Sequence, residues 1–330
     1  EEALAFLRRG SDERALKIYI YERTESGYTQ SAVIEGSGTA VYSVDYRDLD
    51  GDGRQEILVS WKVGPEVQAL SVFTLRLGTP RELMNSSYIR YAAADLDGDG
   101  REEILTFRSD EQGAGTADYY AWTGDGTLAP AGVARLSMTM AELSAGQVLS
   151  GTLRGGEPAV FATGVSDSRI QVTDVLALRQ GELGNLTVSD STGVSREIYR
   201  YLGLFPTDID GDGVTELPVP QDLLPSGDTE SGCRIRWRSY DAAGTGEDAL
   251  STYHALADGW YLTLPESWGD ALSVWTEGAG SDASLASFGI GTGDGRIEIL
   301  RIYTFSGENR ETLAAKGGRV LLSREGETIY

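Results

Sequence analysis

Short apolar runs separated by acidic, glycine-rich turns recur along the 330-residue chain. Ile57-Leu58-Val59-Ser60-Trp61 and Ile104-Leu105-Thr106-Phe107 are continuous and partly β-branched, too short for an ordinary helix, so each predicts a buried strand. A further strand is expected downstream in each repeat: Leu16 to Tyr21, Leu70 to Leu75, Ala117 to Trp122, Val172 to Leu176 and Cys233 to Trp237. More polar segments, such as Gly27 to Ile34, return toward the next turn, and segments 39–44, 88–93 and 199–204 lead into it. Four antiparallel strands of falling apolarity make one unit, with inner strands shielded and outer strands wet.

The units repeat at roughly 50-residue intervals, within the range of propeller blades. Turns start at Asp48, Asp95 and Asp208, and Gly151 to Phe161 fills the gap with the glycines and following strand but without the acids. The opening Glu1-Glu2-Ala3-Leu4-Ala5 aligns with Gln55-Glu56-Ile57-Leu58-Val59, which reads as a repeat cut short and implies native sequence further N-terminal. The expected fold is mainly β: a β-propeller of about five four-stranded repeats over 1–257, the first truncated, then a small α+β domain over 258–330. In that domain strands are expected at 259–268, 271–275, 284–288 and 297–305, a helix over 308–316 capped by Ser306 and ended by Gly317, and a last strand near 319–322. Gly291 to Glu298 mimics the acidic turn but has Ile290 and Thr292 at its first and third positions, so it reads as a plain hairpin. Pro218 and Pro220 suggest an irregular sheet there.

The acidic turns carry the candidate chemistry. Aspartates stand at positions 1, 3 and 5 (Asp48, Asp50, Asp52; Asp95, Asp97, Asp99; Asp208, Asp210, Asp212) and a glutamate at position 9 (Glu56, Glu103, Glu216). Alternate carboxylates converge on one point if the backbone coils tightly, and the glycine at position 6 supplies the positive φ that coiling needs. The carbonyl of position 7 (Arg54, Arg101, Val214) completes an all-oxygen cage suited to Ca2+ and unsuited to zinc or copper. Three calcium sites are expected, with structural roles, so chelation should loosen 1–257 before 258–330. An EF-hand begins alike but needs a glutamate at position 12, where this chain has Val59, Thr106 and Val219, and strands follow instead of helices. A metal-free acidic turn is the simpler reading of one copy, not of three with all four acids in register.

Asp-x-Asp-Gly-Asp-Gly-x-x-Glu followed by an apolar strand resembles the FG-GAP or VCBS repeats of integrin-α-type β-propellers, where the loop joins two strands of a blade. The C-terminal segment is similar, less specifically, to clostridial VCBS-type surface lipoproteins. The resemblance implies an extracellular, calcium-binding adhesion module, lipid-anchored to a bacterial surface through an N-terminal segment.

Charge narrows the partners. The formal net charge of −23 would repel nucleic acid and anionic membranes, and no apolar stretch reaches membrane-spanning length. A monomer with an unidentified protein or glycan ligand is expected. Tyr28, Trp61, Trp122 and Trp237 are candidates for a sugar or peptide groove, though packing between blades is the favoured role. His254 is the sole histidine and Cys233 the sole cysteine, and no nucleophile motif accompanies them, so both read as structural. A non-enzymatic binding module is the leading reading; a polysaccharide-active hydrolase or lyase on the same scaffold is the alternative.

Overall fold

The computed structural model describes residues 2–7, 16–36, 38–64, 68–75, 79–221, 233–291 and 295–330, with backbone alone for 2–7. The chain is mainly β, and among the described residues it forms six sheets whose successive strands pair antiparallel. The first sheet holds Glu2–Leu7, Lys17–Thr24 and Gly27–Glu35. The second runs Ala40–Arg47, Glu56–Lys62, Gln68–Thr74 and Arg81–Tyr88, and the third Arg90–Ala94, Glu103–Ser109, Gly115–Trp122 and Leu128–Arg135. The fourth is built on Gln147–Thr152, Pro158–Val165, Ile170–Arg179 and Glu182–Asn185.

Continuous apolar strands result from burial on both faces. In Glu56–Lys62, Ile57, Val59 and Trp61 join a cluster with Ile18, Ile20 and Ile34 of the first sheet. Leu58, between them, joins Ala93, Ile104 and Leu128 of the third. Leu105, Phe107 and Tyr119 then meet Val160, Ala162 and Leu176 of the fourth. Two polar side chains inside these layers pair with serines: the Trp61 indole N–H donates to Ser71 Oγ at 3.1 Å, and the Tyr88 hydroxyl donates to Ser60.

The chain divides into two compact units, residues 1–198 with 241–244, and 199–240 with 245–330. The second unit contains the fifth sheet (Leu217–Gln221, Cys233–Tyr240, Gly246–Ala255, Trp260–Leu264) and the sixth (Leu272–Glu277, Ala283–Ile290, Ile297–Phe305, Thr328–Ile329, Arg324–Glu325). The expected boundary at 257/258 lies in the turn between two paired strands, since Ala255 faces Trp260. Trp260–Leu264 therefore completes the fifth sheet instead of opening a separate domain. A common core of Tyr253, Leu264, Val274 and Phe288 joins the fifth and sixth sheets.

Several local expectations change. The C-terminal helix is shorter, Arg310–Ala314, and Ser306 does not cap it; the Ser306 N–H donates to the carbonyl of Asp282. The last strands fall at Arg324–Glu325 and Thr328–Ile329, not at 319–322. Residues 292–294 of the expected hairpin lie outside the described residues, while its flanks pair as Ile290 with Ile297. A one-turn helix, Met140–Ser144, has a capping box between Thr139 and Glu142 and buries Met140 and Leu143.

The prolines have a positional effect. Glu216 exchanges both backbone bonds with Thr207, so residues 218 and 220, two and four further on, face the same edge. Being prolines, they offer no N–H there, and the leading strand ends at that single bridge. Residues 201–206 are irregular, and of the expected strand at 199–204 only residues 199 and 200 are extended, within the short strand Ile198–Arg200. Leu217–Gln221 itself is regular, paired residue by residue with Arg234 to Arg238.

Candidate functional site

Each acidic turn joins the first strand of its sheet to the second, or in the fifth sheet the Thr207 bridge to Leu217–Gln221. All three share one hydrogen-bond skeleton. The position-1 aspartate accepts the N–H of the position-6 glycine: Asp48 from Gly53 at 2.9 Å, Asp95 from Gly100 at 3.0 Å, Asp208 from Gly213 at 2.9 Å. The position-5 aspartate accepts the N–H of position 7: Asp52 from Arg54, Asp99 from Arg101, Asp212 from Val214, at 2.9, 2.9 and 2.7 Å. The glutamate Oε2 accepts the position-2 N–H: Glu56 from Leu49 at 3.0 Å, Glu103 from Leu96 at 2.9 Å, Glu216 from Ile209 at 3.2 Å. Positive φ occurs at position 6 and, beyond the sequence expectation, at position 4, where Gly51, Gly98 and Gly211 have φ of 70°, 77° and 81°.

Carboxylate oxygens of Asp48, Asp50 and Glu56 lie within 4.8 Å of one another, as do those of Asp95, Asp97 and Asp99, and those of Asp208, Asp210 and Glu216. Three of the four expected acids in each loop are thus brought together. The glutamates are each 1% exposed. Burial pushes the carboxyls of Glu103 and Glu216 up to about 7 and raises that of Glu56; the position-2 N–H pulls the other way, and the neighbouring aspartates add to the rise. Such a donor set, oxygen alone and crowded with like charge, fits a hard divalent cation. In the second loop Arg101 grips Asp99 with its guanidinium, with Nε at 2.9 Å from Oδ2.

The second and third sheets bring their loops into contact. The Glu102 N–H donates to the carbonyl of Leu49 at 2.7 Å, and Arg47 pairs with the Glu102 carboxylate at 3.2 Å. The Leu49 peptide therefore bonds Glu56 of one loop through its N–H and the neighbour of Glu103 in the other through its C=O. The copy in the fourth sheet that lacks the acids of positions 1, 3, 5 and 9 is a tighter turn, with Leu153 N–H bonded to Glu157 O and Gly156 N–H to Leu153 O. Its flanking pair, Thr152 with Pro158, is closer in sequence than Arg47 with Glu56 or Ala94 with Glu103. The copy without the aspartates closes in fewer residues.

Beside the second loop, a cleft of about 850 Å³ opens between Ala40–Arg47, Arg90–Ala94 and Gln147–Thr152. Its polar lining includes Asp45, Arg47, Tyr91, Glu102 and Thr152. The Tyr91 hydroxyl donates to Asp45 Oδ2 at 2.5 Å; burial, then this bond, raises the phenol, which stays protonated. This cleft has no local motif, because its residues come from three sheets and only pairing brings them together.

Of the aromatic candidates, Trp61 and Trp237 are buried at 0% and 1% exposure, which is the packing role. The Trp122 indole donates to the Glu102 carbonyl, and Tyr28 is exposed on a strand of the first sheet. Cys233 sits opposite His254, and burial pushes its thiol up to about 11. His254 stacks on Tyr261 with Nε2 2.9 Å from Thr252 Oγ1, and burial lowers it to about 4. Its folded value lies below the ordinary 6.5, so its contribution to stability is full above pH 6.5 and is lost as pH falls toward 4. We expect wild type to lose on the order of 3 kcal/mol over that window relative to His254→Gln, read from urea unfolding of both chains; parallel pH profiles would refute it.

No protein-family model matches the chain, and no curated protein sequence matches it. Similar solved structures include the rhamnogalacturonan lyase YesW, at 14% identity and TM-score 0.38 over 76% of this chain and 59% of that one. The exotype rhamnogalacturonan lyase YesX aligns at 15% identity and TM-score 0.39, over 88% of this chain and 64% of that chain. A protein from Lactobacillus plantarum aligns at 12% identity and TM-score 0.31, over 92% of this chain and 82% of that one. The chain thus spans less than two thirds of the length of either lyase.

Proposed function

We propose that the chain is a calcium-stabilised β-propeller of the FG-GAP/VCBS type, with its sheets as blades, serving outside the cell as a module that holds a protein or glycan ligand without transforming it. The observation that carries the calcium reading is the common skeleton of the three loops, with one buried glutamate and converging aspartates in each. Asp48, Asp50, Asp52 and Glu56 would hold one ion with the Arg54 carbonyl, Asp95, Asp97, Asp99 and Glu103 a second with that of Arg101, and Asp208, Asp210, Asp212 and Glu216 a third with that of Val214. Calcium would supply charge neutralisation there and no chemistry. Holding a ligand, not transforming it, is supported by the cleft: Asp45 is bonded to Tyr91, Glu102 is paired with Arg47, and a phenol raised by burial is a donor, not a base.

Calorimetric titration of the whole chain should find three calcium ions per molecule, with dissociation constants on the order of 10⁻⁴ to 10⁻³ M as for extracellular modules, and weaker uptake of magnesium. Absence of calcium uptake, or equal affinity for magnesium, would overturn the reading.

A further inference from the structure

We propose that the cleft between the leading strands of the second, third and fourth sheets binds an uncharged saccharide through its hydroxyl groups. This names the ligand of the binding module proposed above and rests on that reading, but it needs no ion in any loop.

Volume sets the first bound. About 850 Å³ lies within the 300–1,000 Å³ of small-ligand pockets, and the cleft is open to solvent. The floor includes Ala92, Ala93, Ala94 and Gly151, small residues that leave room for a ring to approach the backbone and give an apolar anchor little to grip.

Charge excludes one class of occupant. Arg47 is already matched by Glu102, and Asp45 and the loop acids remain on a chain of net charge −23, so an anionic ligand meets repulsion.

Geometry then favours hydroxyls. Carboxylate and guanidinium groups are planar and offer several parallel hydrogen-bond positions, which suit neighbouring hydroxyls on a sugar ring. The side chains of Arg47 and Glu102 are 47% and 32% exposed, so positions beyond those used in their mutual pair face solvent. Tyr91 is held by its bond to Asp45 and by an edge-on contact with Tyr88 at 5.5 Å, and Tyr46, 43% exposed, adds a second ring to the lining. An aromatic ring held in place, as Tyr91 is, binds the C–H face of a sugar at small entropic cost.

The test screens the whole chain on an array of neutral glycans with polygalacturonate as the anionic arm, then titrates any hit in solution with and without calcium. We expect binding to at least one neutral glycan, none to polygalacturonate, and at least five-fold weaker binding in each of Tyr46→Ala and Tyr91→Phe with calcium uptake unchanged. No neutral hit, binding to polygalacturonate alone, or affinity indifferent to Tyr46→Ala overturns the proposal. Calcium uptake in the same samples separates the two readings: normal uptake without glycan binding defeats only this one, and glycan binding without calcium uptake defeats only the calcium sites.

Discussion

Chelating calcium should strip hydrogen-exchange protection first from Ala40–Arg47 with Glu56–Lys62, and from Arg90–Ala94 with Glu103–Ser109, the strands that the first two loops join. Without an ion each loop keeps its carboxylates within a few ångströms, and two like charges 4 Å apart cost about 4 kcal/mol at an effective dielectric of 20. That is comparable with the ~5–15 kcal/mol that holds a domain folded. Relief comes by protonation, for which Glu103 and Glu216 at about 7 are poised, or by opening. Opening frees the first rungs, Arg47 with Glu56 and Ala94 with Glu103, and loosens the apolar strands behind them. The fourth sheet, closed by its own backbone bonds at Leu153 to Glu157, should keep more of its protection. The sixth sheet has no such loop, yet it shares the core of Tyr253 and Phe288 with the fifth, so its protection should fall with that sheet and not stand apart. Equal protection with and without chelator would show that the loops do not hold the sheets.

Alanine at Gly51 should weaken two of the proposed calcium sites, whereas alanine at Gly98 or Gly211 weakens one. All three glycines have φ between 70° and 81°, where a Cβ costs about 1–2 kcal/mol, or roughly 5- to 30-fold in affinity. The surroundings differ. A Cβ on Gly51 would lie 2.9 Å from the carbonyl oxygen of Gly100, in the second loop, while Gly98 and Gly211 have open space. Pushing Gly100 moves the backbone whose N–H is bonded to Asp95, so the strain passes from the first loop to the second. Three-site titration, followed by NMR signals of the loop glycines, should therefore find the first and second sites weakened in Gly51→Ala with the third intact. A second site of unchanged affinity would mean that the contact through Gly100 and Leu49 carries no coupling.

What was legible in the sequence was local. The acids and glycines of each loop act on one another across nine positions, so their spacing alone predicts the coil and the strand that follows. Burial on both faces was equally plain in Ile57 to Trp61, which no amphipathic strand would need. Long-range pairing was not legible: nothing near Trp260 says whether it turns back onto Ala255, as it does, or begins a new layer. The capping box at Thr139 and Glu142 stands in the sequence as Thr-x-x-Glu, a local signal for the one-turn helix that follows. The cleft had no local signature at all, because Asp45, Tyr91 and Thr152 meet only after three sheets have formed.

The proline pair in Leu217–Gln221 has a consequence for behaviour at high concentration. Among the described residues this strand ends its sheet, and an end strand invites a foreign chain to add itself by backbone bonding. Here residues 218 and 220, which share the edge facing away from Cys233–Tyr240, have no N–H to give a newcomer, so a strand added there would lack two of its backbone bonds.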